Sequence, residues 1–129
     1  LVELLGGPPT PGVGFGTGFE RLIINMRRQG SPVPPTPAPS LYIAHLTPGA
    51  ALAAVKLGRA ARAAGLQVIV GAEGRSLKAQ MRHADAKGAA FAAIIGADEL
   101  ASGEATLRNL ADHSERRLRL DDLPSVIAG

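Results

Sequence analysis

Leu41-Tyr-Ile-Ala-His-Leu46, Leu66-Gln-Val-Ile-Val70 and Phe91-Ala-Ala-Ile-Ile95 are three short apolar runs, and their reading decides the fold. Each has the length of a buried strand, and their β-branched and aromatic side chains favour that state. Between the first two, residues 50–64 mix Ala, Leu, Lys and Arg, all good helix formers. Gly65 follows where a helix C-cap glycine belongs. Between the second and third, Gly71-Ala-Glu-Gly74 reads as a turn. Ser76 is placed to cap a helix that runs to Lys87 and ends at Gly88. Strand–helix–strand–helix–strand demands crossovers, hence parallel neighbouring strands with helices over both faces.

Beyond Gly96 the pattern changes. Residues 104–110 and 115–120 partly alternate in polarity and are joined by Ala-Asp-His-Ser, which predicts a hairpin and an antiparallel edge. Asp121 or Asp122 can cap a last short helix ending near Ala128. The expected architecture is a three-layer α/β/α domain with a mixed five-stranded sheet over residues 41–129. Residues 30–40 hold five prolines in eleven positions, the composition of a stiff extended spacer. Residues 1–29 are too few to bury a core of their own. They read as a short strand–helix remnant that must pack on other sequence.

The chain has 129 residues, 46% hydrophobic and 19% charged, with no run approaching the ~18 apolar residues of a membrane span. A disordered polar tail is excluded on that ground. The net charge of +3 permits an anionic partner without demanding one. With no cysteine, disulfides and thiolate zinc sites are impossible, and a reducing, cytoplasmic setting is expected. The four aromatics (Phe15, Phe19, Tyr42, Phe91) are too few for a base-stacking platform. Residue 1 is Leu and no signal-peptide pattern follows, so a fragment of a longer chain is expected.

Two regions could carry chemistry. In Gly14-Phe-Gly-Thr-Gly-Phe-Glu-Arg21 the glycines are spaced G-x-G-x-G, which fits neither common phosphate loop. A tight turn with a solvated arginine and a glycine-lined ligand wall with Arg21 on a phosphate both remain open. Thr17 would start the following helix, on which Phe19, Leu22, Ile23 and Met26 form one stripe expected to be buried. The second region is residues 56–87, with seven cations (Lys56, Arg59, Arg62, Arg75, Lys78, Arg82, Lys87) against Glu73 and Asp85. Residues 88–129 hold four cations against seven acids. The positive helix faces read either as solvated surface or as a phosphate-binding surface. On the second helix Leu77, Met81 and Ala84 form the expected inward stripe. Glu99 is expected to brace a turn. His45 sits in a buried-looking strand, His83 and His113 face solvent, and no metal site is expected.

The N-terminal stretch Leu4-Leu-Gly-Gly-Pro-Pro-Thr-Pro-Gly-Val-Gly-Phe-Gly-Thr-Gly-Phe-Glu-Arg-Leu22 resembles the third signature motif of class II aminoacyl-tRNA synthetases, most closely the histidyl family. Residues 74–89, the run Gly96-Ala-Asp-Glu-Leu-Ala-Ser-Gly-Glu104 and the strand Thr106-Leu-Arg-Asn-Leu110 resemble that family's C-terminal anticodon-binding domain. The resemblance implies that Arg21 binds ATP phosphates and that Gly14, Gly16 and Gly18 line the adenine and histidine pocket. It implies Glu73, Arg75, Ser76, Lys78, Gln80 and Arg82 as the tRNA-anticodon contacts. Glu73 and Gln80 would meet bases, the cations phosphates. It further implies ATP with Mg2+ and a homodimer for an intact parent, tRNA as partner, and neither DNA nor membrane. The other class II motifs would lie upstream of Leu1, so the fragment alone is expected to be inactive and to need no cofactor. Alternatives are a non-catalytic, synthetase-like regulatory or protein-interaction module, and an unrelated α/β nucleotide-binding domain.

Overall fold

The computed structural model describes residues 1–32 and 35–129; Val33 and Pro34, within the expected spacer, lie outside the described residues. The chain divides into two compact units, Leu1–Pro35 and Thr36–Gly129. In the first, α1 (Phe19–Arg28) follows a short 3-10 turn at Glu3–Leu5. No strand occurs among the described residues before Leu41, so the expected strand–helix remnant is a turn–helix one. An isolated strand has no ladder partner to satisfy its backbone, and prolines and glycines fill most of residues 6–18. Gly18, not Thr17, is the N-cap of α1, and no side chain caps it. Phe19, Leu22, Ile23 and Met26 do share one face, but none is buried. A ten-residue helix in so short a unit has no second apolar surface against which to hide that stripe.

The second unit is built on β1 (Leu41–His45), β2 (Val68–Val70), β3 (Phe91–Ile95), β4 (Glu104–Asn109) and β5 (Glu115–Arg119). They form one sheet in the order β2-β1-β3-β4-β5. β1 runs parallel to β2 and β3, while β4 and β5 continue antiparallel. Successive strand residues point to opposite faces, and the core divides accordingly. Leu41 and Ile43 face α2 (Pro48–Ala63), whose buried stripe is Ala50, Ala54, Leu57, Gly58 and Ala61. Small residues let this helix lie close: a Cβ on Gly58 would come within 2.9 Å of Val70 Cγ2. Tyr42 and Ala44 face the other way, against Ala84 of α3 (Leu77–Ala86). The result is three layers with α2 and α3 on opposite sides.

α2 and α3 are each capped at the start by a hydroxyl, as their sequences predict. Thr47 accepts from the Ala50 amide at 3.3 Å, and Ser76 from the Ala79 amide at 3.3 Å. α4 (Ala97–Ser102) takes the place of the turn expected after β3, and α5 (Leu123–Ala128) closes the unit beside α2, burying Leu123. Six residues are too few for α4 to show a helical period. Its ends are nevertheless marked: the Glu99 carboxylate accepts from the Gly96 amide, and Gly103 stops the helix at φ +70°.

Candidate nucleic-acid interface

The turn between β2 and α3 carries Glu73, Arg75 and Ser76, and α3 begins beside it with Lys78; all four side chains are exposed. What holds this turn in place is a side chain read from sequence as a base contact. Gln80 is 0% exposed. Its Oε1 accepts from the His45 amide at 3.3 Å, and its Nε2 donates to the His45 and Arg75 carbonyls at 2.9 Å each. With its amide engaged at both ends and sealed from solvent, Gln80 cannot meet RNA, and the expectation that it reads a base is corrected. It ties the turn between β2 and α3 to the end of β1. His45, 6% exposed, adds a second tie through Nε2 to the Gly71 carbonyl at 2.9 Å. Gly71 has no room for a side chain, since a Cβ there would overlap Gln80 Oε1. The inward stripe of α3 is therefore Gln80 and Ala84 flanked by Met81, with Leu77 exposed.

The cations of residues 56–87 do not form one face. Lys56, Arg59 and Arg62 ride on α2 and Lys78 and Arg82 on α3, with the sheet between the two helices. Arg62 serves the fold, donating from Nη2 to the Val68 carbonyl at 3.0 Å and covering part of the exposed edge of β2. The α3 side, in contrast, gains cations from a region whose net charge is negative. The register pairs Ala92 with Arg108, Thr106 with Arg117 and Glu104 with Arg119. Ala92 has the same parity on β3 as Ile94, which packs with Tyr42 and Ala84 on the α3 side. Arg108, Arg117 and Arg119 accordingly stand on that side of the sheet, beyond α3. Sequence reasoning missed all three; their i, i+2 spacing opposite Ala105, Leu107 and Leu118 was the available signal.

Glu99 organises this edge. Its Oε1 accepts from Thr106 Oγ1 at 3.2 Å and lies 3.5 Å from Arg117 Nη2. Its own amide, that of Gly96, the Thr106 hydroxyl and Arg117 hold its carboxyl below the ordinary 4.5, against the opposing pull of partial burial. A carboxyl whose folded pKa is depressed stabilises the fold above its unfolded pKa, and that stability is lost as pH falls through the folded value. Glu99→Gln should therefore flatten the fall of Tm between about pH 5 and pH 3. Identical acid limbs for the two proteins would remove Glu99 from this role. Nearby, Arg108 and Glu115 pair at 2.7 Å on the exposed hairpin.

Tyr42 lies under α3, its hydroxyl 3.3 Å from His83 Nδ1 and the rings edge to face. Burial raises its hydroxyl pKa, and the Arg75 guanidinium works in the opposite direction. His83 and His113 are exposed. In the first unit, Gly14, Gly16, Gly18 and Arg21 are all exposed. A Cβ on Gly14 or Gly16 would meet nothing within 4 Å. Within this unit the glycines therefore line no tight cradle.

Residues 41–129 match the family model described as the anticodon binding domain. A histidine–tRNA ligase of Dehalococcoides mccartyi is 43% identical over 95% of this chain and 29% of its own length. One from Dechloromonas aromatica is 45% identical over 100% of this chain and 30% of its own. The chain thus spans about three tenths of the length of these curated relatives. Among solved structures, apo histidyl-tRNA synthetase of S. aureus superposes with a TM-score of 0.68 at 27% identity, covering 86% of this chain and 28% of that one. The RNA-binding domain of threonyl-tRNA synthetase from Cryptosporidium parvum shares the fold, with a TM-score of 0.65 at 16% identity over 70% of this chain and 23% of that one.

Proposed function

The chain belongs to the anticodon-binding domain family, and on that premise we propose that it recognises the anticodon region of a histidine-specific tRNA as the C-terminal portion of a histidine–tRNA ligase. The intact parent would activate histidine with ATP and transfer it to tRNA, acting as a homodimer in the cytoplasm. The observation that carries the reading is the clustering of cations on one side of the sheet. Arg75, Lys78 and Arg82 from α3 and its turn join Arg119 there, with Arg108 and Arg117 on the same side but paired to Glu115 and Glu99. Glu73 adds a carboxylate able to accept from base amino groups. Cations fix the RNA backbone while a few acceptors read splayed base edges, the division of labour that a single-stranded loop requires.

Arg21 suits a phosphate by chemistry, as a planar, permanently charged donor fork. The exposed glycines around it build no ATP cradle in this chain, and only Glu3 and Glu20 supply carboxylates in the first unit. ATP and Mg2+ are thus assigned to the parent, with Arg21 and the glycines contributing one wall.

Binding of the chain to a histidine-tRNA anticodon hairpin, followed by fluorescence anisotropy at moderate salt, tests the reading. The cognate hairpin should bind at least about tenfold tighter than one with an unrelated loop, a gap of roughly 1.4 kcal/mol. Equal affinities would overturn it. Lys78→Ala should weaken both complexes and lower the salt slope by about 0.7 unit, the value of one phosphate contact on a single-stranded loop.

A further inference from the structure

A crevice of about 350 Å³ opens at the carboxyl ends of β1 and β2, between the turn leading into α2 and the turn leading into α3. His45 lines it, with Thr47 and Pro48 on one wall and Glu73, Arg75 and Ser76 on the other. Its volume is near the lower end of the ~300–1,000 Å³ of small-ligand clefts, the size class of one nucleoside. The crevice outside the carboxyl ends of parallel strands is also where open α/β sheets bind ligands.

The state of His45 follows from its partner. A carbonyl oxygen only accepts, so the 2.9 Å contact with Gly71 places a proton on Nε2. In the neutral imidazole Nδ1 then carries a bare lone pair. Nδ1 makes no hydrogen bond among the described residues, yet no buried side-chain polar atom there lacks a partner. Nδ1 is therefore not sealed from solvent, and His45 is one of the residues that line the crevice. The hydroxyls of Thr47 and Ser76 each accept from a helix amide and keep their own O–H free to donate. The site thus combines acceptors, His45 Nδ1 and Glu73, with donors, Arg75 and two hydroxyls.

We propose that this crevice seats a single unstacked base of the bound RNA, and that His45 Nδ1 accepts a hydrogen bond from an N–H on that base's edge. Guanine, whose imino and amino N–H groups are adjacent, is the base that best matches two acceptors, while Arg75 and the hydroxyls take its sugar–phosphate. The inference rests on the RNA-binding reading above and adds to it a specificity-determining residue that the anticodon contacts expected from sequence do not include.

The test uses the full chain and hairpins in which each loop guanine in turn is replaced by purine riboside, which keeps the ring but carries no N–H donor on that edge. At one loop position the replacement should weaken binding to the unaltered chain roughly three- to tenfold. His45→Phe should bind the parent hairpin more weakly and be indifferent to replacement at that position. His45→Gln, with a carbonyl acceptor and an amide donor, should recover part of the discrimination. Because His45→Phe also breaks the tie to Gly71, the unaltered protein is followed by imidazole 15N NMR. The free protein should show a bare Nδ1, and cognate RNA should move that resonance toward the hydrogen-bonded range. An unmoved Nδ1 in an RNA-bound chain, or equal losses in the unaltered and Phe proteins at every position, overturns the assignment and leaves RNA binding standing. Failure of the unaltered chain to prefer the cognate hairpin overturns the RNA-binding reading and the assignment with it.

Discussion

Gln80→Ala should lower the Tm of the chain by roughly 12–24 °C, read by circular dichroism. The substitution strips partners from the buried His45 amide and carbonyl and from the part-buried Arg75 carbonyl. An unsatisfied buried polar group costs about 1–3 kcal/mol, and water entering the vacated space recovers part of that, leaving a net loss of about 3 kcal/mol. For a unit of this size each kcal/mol shifts Tm by about 4–8 °C. Gly71→Ala provides an independent route to the same outcome. Its Cβ would overlap Gln80 Oε1 and approach the Tyr42 hydroxyl to 3.0 Å, so Gln80 must swing away or the turn must move. A drop of less than about 3 °C in both proteins would show that the turn holds itself, and that Gln80 is a passenger. The effect should exceed that of any exposed cation on α3, because those side chains touch little else.

The central strands were legible because they are buried on both faces and therefore appear as unbroken apolar runs. The hairpin and the final helix were legible from alternation and from the Asp-Asp start. What failed has a common cause: local pattern reports which residues share an element, not which layer that element joins. Gln80 lies at i+3 from Leu77 and i−4 from Ala84, squarely on the buried side of α3, but an amide in a polar stretch reads as surface until its partners on β1 are known. The basic run 56–87 looks continuous along the chain, yet a sheet separates α2 from α3. That separation was already implicit in the alternation of strand and helix, which demands helices on both faces. Arg108, Arg117 and Arg119 were hidden in the opposite way, as three cations of a net acidic segment that register gathers on one side. For the first unit the apolar stripe of α1 was read correctly as a stripe and wrongly as buried, since periodicity gives a face and says nothing of what covers it.

The layer separation gives the second large prediction, an asymmetry between two sets of equal charge change. Lys78→Ala, Arg117→Ala and Arg119→Ala together should weaken binding of the cognate hairpin by about a hundredfold, taking about 1 kcal/mol for each exposed phosphate contact. The salt slope should fall by about two units, at about 0.7 per contact on single-stranded RNA. Lys56→Ala, Arg59→Ala and Lys87→Ala remove the same charge from α2 and the far end of α3. That second triple should cost less than about threefold, because only the long-range field is altered and it is screened within about 8–10 Å at physiological salt. None of the six side chains is buried, so both triples should melt within a few degrees of the unaltered chain. Net charge alone predicts equal losses, and a shared basic helix face predicts the larger loss for a set containing Lys56 and Arg59. Only an RNA held across α3 and the β4–β5 face produces the stated inequality, and equal or inverted losses would remove that face from the interface.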